Sequence, residues 1–270
     1  MVHRRTDVHA VVDAVPLVIS RLRALTIDSQ GVVDPASGER RSGLRVTSGV
    51  HGRRGCRYRL VTKALPAAAA DALLAERAGT TSEIELTSSD PRSLGVTVRV
   101  DHPSNTEINL NVRNIERQGI IEVHAVSQVV GGWPIAGKLV VDGTADLAAV
   151  RRGDGRSSPV ASIKVRHRRC RATVGLSTAA ADAAHSRLAI DIGFTGRGLI
   201  RPVVALGGVM FGRRIQRAIT RGVDEAMADL LKERSVAGEF SASVVADTVM
   251  EDLLSSIAAV PTDPAERPTG

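Results

Sequence analysis

Aromatic side chains are nearly missing from this chain of 270 residues. Tyr58, Trp133, Phe194, Phe211 and Phe240 are the whole set, 2% of the total. Any core must therefore be built from Val, Ile, Leu and Ala. A binder of single-stranded nucleic acid, which needs aromatic stacking platforms, is disfavoured. Cysteine is as scarce. Cys56 and Cys170 lie far apart with no C-x-x-C spacing, which excludes a disulfide framework. Each sits in a basic, strand-like segment and reads as a buried, reduced thiol; basic neighbours can activate a thiol, but neither has a catalytic partner close in sequence. No run reaches the roughly 18 uninterrupted apolar residues of a membrane span. The apolar stretch from Val8 to Leu25 is broken by Asp13, Pro16, Arg21 and Arg23, unlike a signal peptide, so the cytoplasm is the expected location.

Charge of one sign dominates. The formal net charge is +7, carried almost wholly by arginine. Basicity suits an acidic partner such as nucleic acid, phosphate or an anionic membrane surface. Arginine-rich codon usage would produce the same balance. The hydrophobic fraction of 43% and the charged fraction of 24% are those of a globular protein with a real core.

The usual catalytic signatures fail one by one. The seven histidines, His3, His9, His51, His102, His124, His167 and His185, are scattered. None has the spacing of a zinc site, so no metal and no cofactor is expected. There is no G-x-S-x-G elbow. Gly132 to Leu139 nearly matches the phosphate-binding loop G-x-x-x-x-G-K-[ST], but Leu139 replaces the hydroxyl that would hold magnesium. The residues after it are strand-like, whereas a phosphate cradle needs a helix start. The segment reads as a turn between strands, with Trp133 at a sheet edge or pocket mouth. No catalytic residue is assigned.

What the chain has is alternation. Leu44 and Val46, then Cys56, Tyr58 and Leu60, occupy every second position, as two strands joined by a turn. The same period continues through Ile84–Leu86, Leu94–Val100, Ile108–Val112, Ile121–Val129, Leu139–Val141, Ala161–Val165, Cys170–Leu176 and Leu188–Phe194. The apolar parity changes between Val165 and Cys170, where a bulge or tight bend is expected. Strands separated by turn-length gaps imply an antiparallel meander with one wet face. Helical spacing is expected at residues 16–25, 64–79 and 240–257, and Val8 to Ala14 reads as a first strand.

The longest helical pattern is at residues 199–234. Phe211, Ile215, Ala218, Ile219, Val223, Met227 and Leu230 recur at spacings of three and four, on one stripe. Arg213, Arg214, Arg217 and Arg221 crowd its first half, against the macrodipole preference. Arg213, Arg217 and Arg221 share a face, a placement that suits gripping an anionic head group as well as solvation. The expected fold is α+β: a curved antiparallel sheet packed on this long C-terminal helix. The expected organisation is one ligand-binding domain over residues 1–234, an extra helix over 235–260 and a disordered tail over 261–270.

Residues 186–208, running into Phe211, Gly212, Arg213, Arg214 and Ile215 and on to Leu231, resemble the ending of START-like helix-grip proteins. That superfamily includes polyketide cyclase-like and lipid-transfer members. The Val8–Pro16 segment is weakly similar to their opening strand. The tubular lipid-binding fold, with its long antiparallel strands, competes for the stretch from Ile121 to Leu176. Both resemblances imply an apolar cavity and an apolar small molecule. The candidates to line it are Trp133, Met210, Phe211, Ile215 and Ile219, with Arg213, Arg217 and Arg221 for an anionic lipid head group. The expected function is binding or transport of a hydrophobic, lipid-like molecule. The alternatives are a cyclase- or hydratase-type enzyme using the same pocket, and a basic-surface protein meeting nucleic acid or an anionic membrane.

Overall fold

A computed structural model describes residues 2–35, 37–62, 81–101, 105–117, 119–129, 137–153, 159–168, 170–180, 185–196 and 241–257. Its centre is one antiparallel sheet of eleven strands. The main run is β5 (Leu44–Ser48), β6 (Arg57–Val61), β7 (Thr81–Asp90), β8 (Ser93–Asp101), β9 (Thr106–Arg113), β10 (Ile120–Val129), β11 (Gly137–Asp146), β12 (Ala161–His167), β13 (Cys170–Ala180) and β14 (His185–Gly196). Each strand pairs with the next in sequence, and β1 (Val2–Arg4) closes the far edge against β14. This is the meander that alternation and short gaps imply. The parity change after Val165 is a hairpin, with Arg166 opposite Arg171. Three short strands, β2 (Thr26–Ile27), β3 (Val32–Val33) and β4 (Arg40–Arg41), form a separate small sheet.

Register stacks the apolar positions into rows on one face. Leu86, Val96 and Leu110 are successive partners, as are Leu94, Val112 and Ile121. Such a face must be covered, and two helices cover part of it. These are α1 (Arg5–Ala24), of 20 residues, and α3 (Ala242–Ser256), of 15. Between them in sequence, the short α2 (Leu147–Arg152) follows β11, its first turn capped by the Asp146 side chain on the Ala149 amide at 2.9 Å. Ile19 and Leu25 from the α1 end join Met250, Leu254 and Ile257 over Tyr58, Leu86, Leu94 and Val112 in the main core. Helices α1 and α3 touch through Ala10, Ala14, Val245 and Ala246, small side chains that allow close approach. Arg21 adds an ion pair to Asp247 at 2.5 Å. At the end of α1, Arg23 donates to the carbonyls of Asp90 (2.6 Å) and Ser93 (3.0 Å), pinning the helix to the β7–β8 hairpin.

Two expectations are overturned. The helix-grip arrangement is not what the described residues form. The helical layer is made by α1, from the N-terminus, with the 15-residue α3 laid against it. The reason is an apolar stripe overlooked in α1. Val8, Val12, Val15, Val18, Ile19 and Leu22 recur at helical spacing, and Val15, Val18, Ile19 and Leu22 pack over the sheet in the main core. The same residues correct the second point: Val8 to Ala14 is not a strand but the first half of that continuous helix. Alternate positions Val8, Ala10, Val12 and Ala14 are all buried, because both helical neighbours and sheet contribute cover. Pro16 lies inside the helix rather than at its start. It withholds a donor there and is held in place by packing on either side. The expected helices at residues 64–79 and 199–234 and the tail at 261–270 lie outside the described residues.

Candidate functional site

The strands from β10 to β14 have two chemically opposite faces. On the first, register sets Ile163 beside Val174 and Val174 beside Ile192. The next row is Val141, Val165, Ala172 and Phe194. These rows continue the face that α1 and α3 cover further along, yet they are far less protected. Ile163 is 47% exposed and Phe194 37%, against 4% for Val112. The result is an apolar strip built on four well-paired strands and open to contact.

The opposite face is polar and basic. Lys164 lies opposite Asp142 and Thr173, and Arg166 opposite Arg171. Asp142 accepts from His124 Nδ1 at 2.8 Å and from Arg166 at 2.5 Å. The His124 hydrogen bond, with the Arg166 charge behind it, holds the Asp142 carboxyl below the usual carboxylate range. This His–Asp–Arg chain is half-exposed throughout. No nucleophile among the described residues is hydrogen-bonded to His124, so the chain acts as a cross-strand tie. Beside it, Gly175 and Gly193 leave an open hollow of about 420 Å³ walled by Pro159, Ser162, Lys164, Thr173 and Asp191. A side chain at Gly175 would meet Pro159 at 3.4 Å, which places the hollow on this polar face.

A third cluster is buried at the other side of the sheet. The Tyr58 hydroxyl accepts from the Gly52 amide at 3.0 Å and lies 3.0 Å from His51 Nδ1. Burial, with the neighbouring Cys56 thiol, pushes the Tyr58 phenol far above its ordinary range. Burial also lowers the His51 pKa. Both groups are therefore neutral, as fits a structural knot that closes the β5–β6 connection. Cys56 is buried and Cys170 half-buried, and both are free thiols.

All the ligand-binding residues expected from sequence, Trp133, Met210, Phe211, Ile215, Ile219, Arg213, Arg217 and Arg221, lie outside the described residues. The glycine-rich near-match ends in strand β11, which Gly137 opens, rather than in a helix, as its sequence context implied. Sequence reasoning missed the Ile163–Val174–Ile192 row as a site. Each residue was legible as strand, but their meeting depends on register between three strands. It missed the His124–Asp142–Arg166 chain for the same reason. No group of three His, Cys, Asp or Glu side chains suited to a metal occurs among the described residues. None of their helices is long and apolar enough to cross a membrane. Comparison with family models, with curated proteins and with solved structures finds no match for this chain.

Proposed function

We propose that this protein binds a hydrophobic, lipid-like molecule against the apolar face of β10–β14. The observation that supports it is the exposure of Ile163 and Phe194 within otherwise apolar rows. Each square ångström of such surface removed from water contributes about 25 cal/mol. An acyl chain lying along Phe194, Ile192, Val174 and Ile163 gains burial from all four at once. Ile163 and Val174 are paired on both sides, and Ile192 and Phe194 are paired with β13, so the sheet beneath needs no rearrangement. The resemblance to tubular lipid-binding chains supports the same ligand class. The His124–Asp142 pair lies on the opposite face, away from this ligand.

The test is native mass spectrometry of the purified full chain, followed by organic extraction. Titration with a fluorescent fatty acid gives the affinity. A co-purifying apolar molecule and saturable binding, weakened at least tenfold in an Ile163→Asp, Phe194→Asp double variant, are the expected results. Binding that is equally tight in the variant overturns the assignment of this face. Absence of any saturable apolar ligand overturns the function. Burial-driven binding should hardly respond to salt between 0.1 and 0.5 M, unlike phosphate binding, which weakens steeply.

A further inference from the structure

The charge on the polar face is arranged in two different ways. In the strands from β6 to β10, Arg57, Arg99 and Arg113 are matched across strands, whereas Arg59, opposite Arg45 and Glu83, forms no ion pair among the described residues. Arg57 meets Glu85 at 3.5 Å, Arg99 meets Glu85 at 3.8 Å and Glu107 at 3.2 Å, and Arg113 pairs with Glu122. From β11 to β13 Arg166 is matched, to Asp142, and four other cations are not. Lys138, Lys164, Arg168 and Arg171 are all exposed. None of them forms an ion pair among the described residues. Arg166 faces Arg171 directly across the hairpin, a like-charge placement that costs stability. Asp142 is the acid that register sets opposite Lys164, and His124 and Arg166 already occupy it.

Lys138, Arg168 and Arg171 gather at one end of the sheet. Arg168 follows β12 directly, and its Nε lies 3.9 Å from the side-chain position of Gly137, next to Lys138. Arg171 is the second residue of β13. On the other face of the same end stand Val165, Ala172 and the exposed Phe194, in the row beside Arg166 and Arg171. The β12–β13 end is thus cationic on one side and apolar on the other, within the width of a single sheet.

The geometry points to an anionic bilayer surface as the partner of this end. A bilayer interface offers acidic head groups and hydrocarbon within a few ångströms, and an amphipathic, basic element is what binds there. Nucleic acid would satisfy the cations but has no hydrocarbon for Phe194 and Val165, and the chain has few aromatics with which to stack on bases. The β12–β13 end meets the membrane end-on. Lys138, Arg168 and Arg171 contact acidic head groups, and Phe194 reaches the acyl boundary. This surface goes beyond the ligand reading and does not rest on it, since Lys138, Arg166 and Arg171 occupy strand positions on the face opposite the apolar rows.

The experiment uses the full chain and vesicles of phosphatidylcholine, either pure or with three parts in ten phosphatidylserine, read by co-sedimentation. The wild-type chain should bind the anionic vesicles and not the neutral ones. A Lys138→Gln, Arg168→Gln, Arg171→Gln variant should lose about a hundredfold in partitioning, roughly fivefold for each cation removed. An Arg57→Gln, Arg99→Gln, Arg113→Gln variant loses the same charge from the matched region and should stay within about threefold of wild type. Equal losses in the two variants overturn the proposal, as does equal binding to neutral vesicles. A DNA duplex that displaces the vesicles through the same three cations overturns it in favour of nucleic acid. Thermal melts check folding. Should either variant fail to fold, salt dependence of wild-type binding decides: a steep fall between 0.1 and 0.5 M sodium chloride supports the surface, and indifference overturns it. Vesicle binding that persists in the Ile163→Asp, Phe194→Ser variant at reduced depth, with fatty-acid binding gone, supports the cationic contact independently of the ligand site.

Discussion

The two halves of the sheet have the same pairing and different surroundings. In β5–β9 the apolar face is closed by α1 and α3, and Leu86, Leu94 and Val112 are buried; in β11–β14 the equivalent positions are part-exposed. On the opposite face Arg57, Arg99 and Arg113 find acids across the strands in the first half, whereas in the second Arg166 does and Lys138, Lys164, Arg168 and Arg171 form no ion pair among the described residues. Backbone hydrogen bonding is similar throughout, so it explains neither contrast. The difference teaches where stability and interaction are separated in this molecule. Burial and matched charge hold the first half together, and surplus apolar area and surplus cations make the second half available to partners.

The sharpest way to break that comparison is to put a charge in each half. Val112→Asp places an unpaired carboxylate in the core and should cost at least about 4 kcal/mol in urea unfolding. Ile163→Asp, at a position half in water, should cost less than about 1 kcal/mol. Equal costs would mean that the second half is as closed as the first. Truncation gives a smaller contrast. Leu254→Ala removes an α3 side chain from the main core and should cost about 2–5 kcal/mol. Val174→Ala should cost about 1 kcal/mol or less by the same measurement.

Glycine substitutions probe the backbone in each half. A side chain at Gly119, in the β9–β10 connection, would begin 1.5 Å from the Arg113 carbonyl oxygen, so Gly119→Ala must displace backbone. It should lower the melting temperature by about 10 °C or more for a loss of several kcal/mol. Gly175→Ala meets Pro159 at an ordinary 3.4 Å and should leave the melting temperature within about 2 °C. Its effect would be confined to the hollow it partly fills.

The smallest effects are in pH dependence, and they have opposite origins in the two halves. Burial lowers the His51 pKa in the folded state, so the unfolded chain binds the proton more readily. Stability should therefore fall as pH drops from 6.5, the ordinary histidine value, through the lower folded pKa, and level off below it, where the folded chain takes up the proton too. His51→Gln should remove that slope. The Asp142 pKa is lowered too, but by contacts that favour the charged form, the His124 hydrogen bond first and then Arg166. Its contribution is present above 3.8 and is lost as pH falls below it. Asp142→Asn should erase this, with a change below about 1 kcal/mol because the group is solvated. Urea midpoints measured from acid to neutral pH read both slopes.

Much of the sheet was legible from residues alone. The period of two through Leu94–Val100, Ile108–Val112 and Ile121–Val129 marked strands, and the turn-length gaps implied their order. The helix at the C-terminal end was legible from Val244, Met250, Leu253 and Leu254. The N-terminal helix was misread because Val8, Ala10, Val12 and Ala14 also satisfy alternation, and Pro16 looked like a helix start. A run of Val and Ala with two apolar faces fits either period, and only contact with α3 and the sheet decides between them. The functional positions were harder. Ile163, Val174 and Ile192 are separated by turns and strands in sequence, and their adjacency exists only once three registers are set.

Local order along the chain determined the meander: alternating side chains choose the strand, and a short gap leaves the next strand no nearer place to pair than alongside. Composition determined that the core is aliphatic and the surface basic. Tertiary structure decided which helices roof the sheet and how far they reach, because cover depends on where separate elements land. It also decided which cations find an acid across the strands. Those two outcomes, rather than any single motif, leave one end of the sheet both apolar and positively charged.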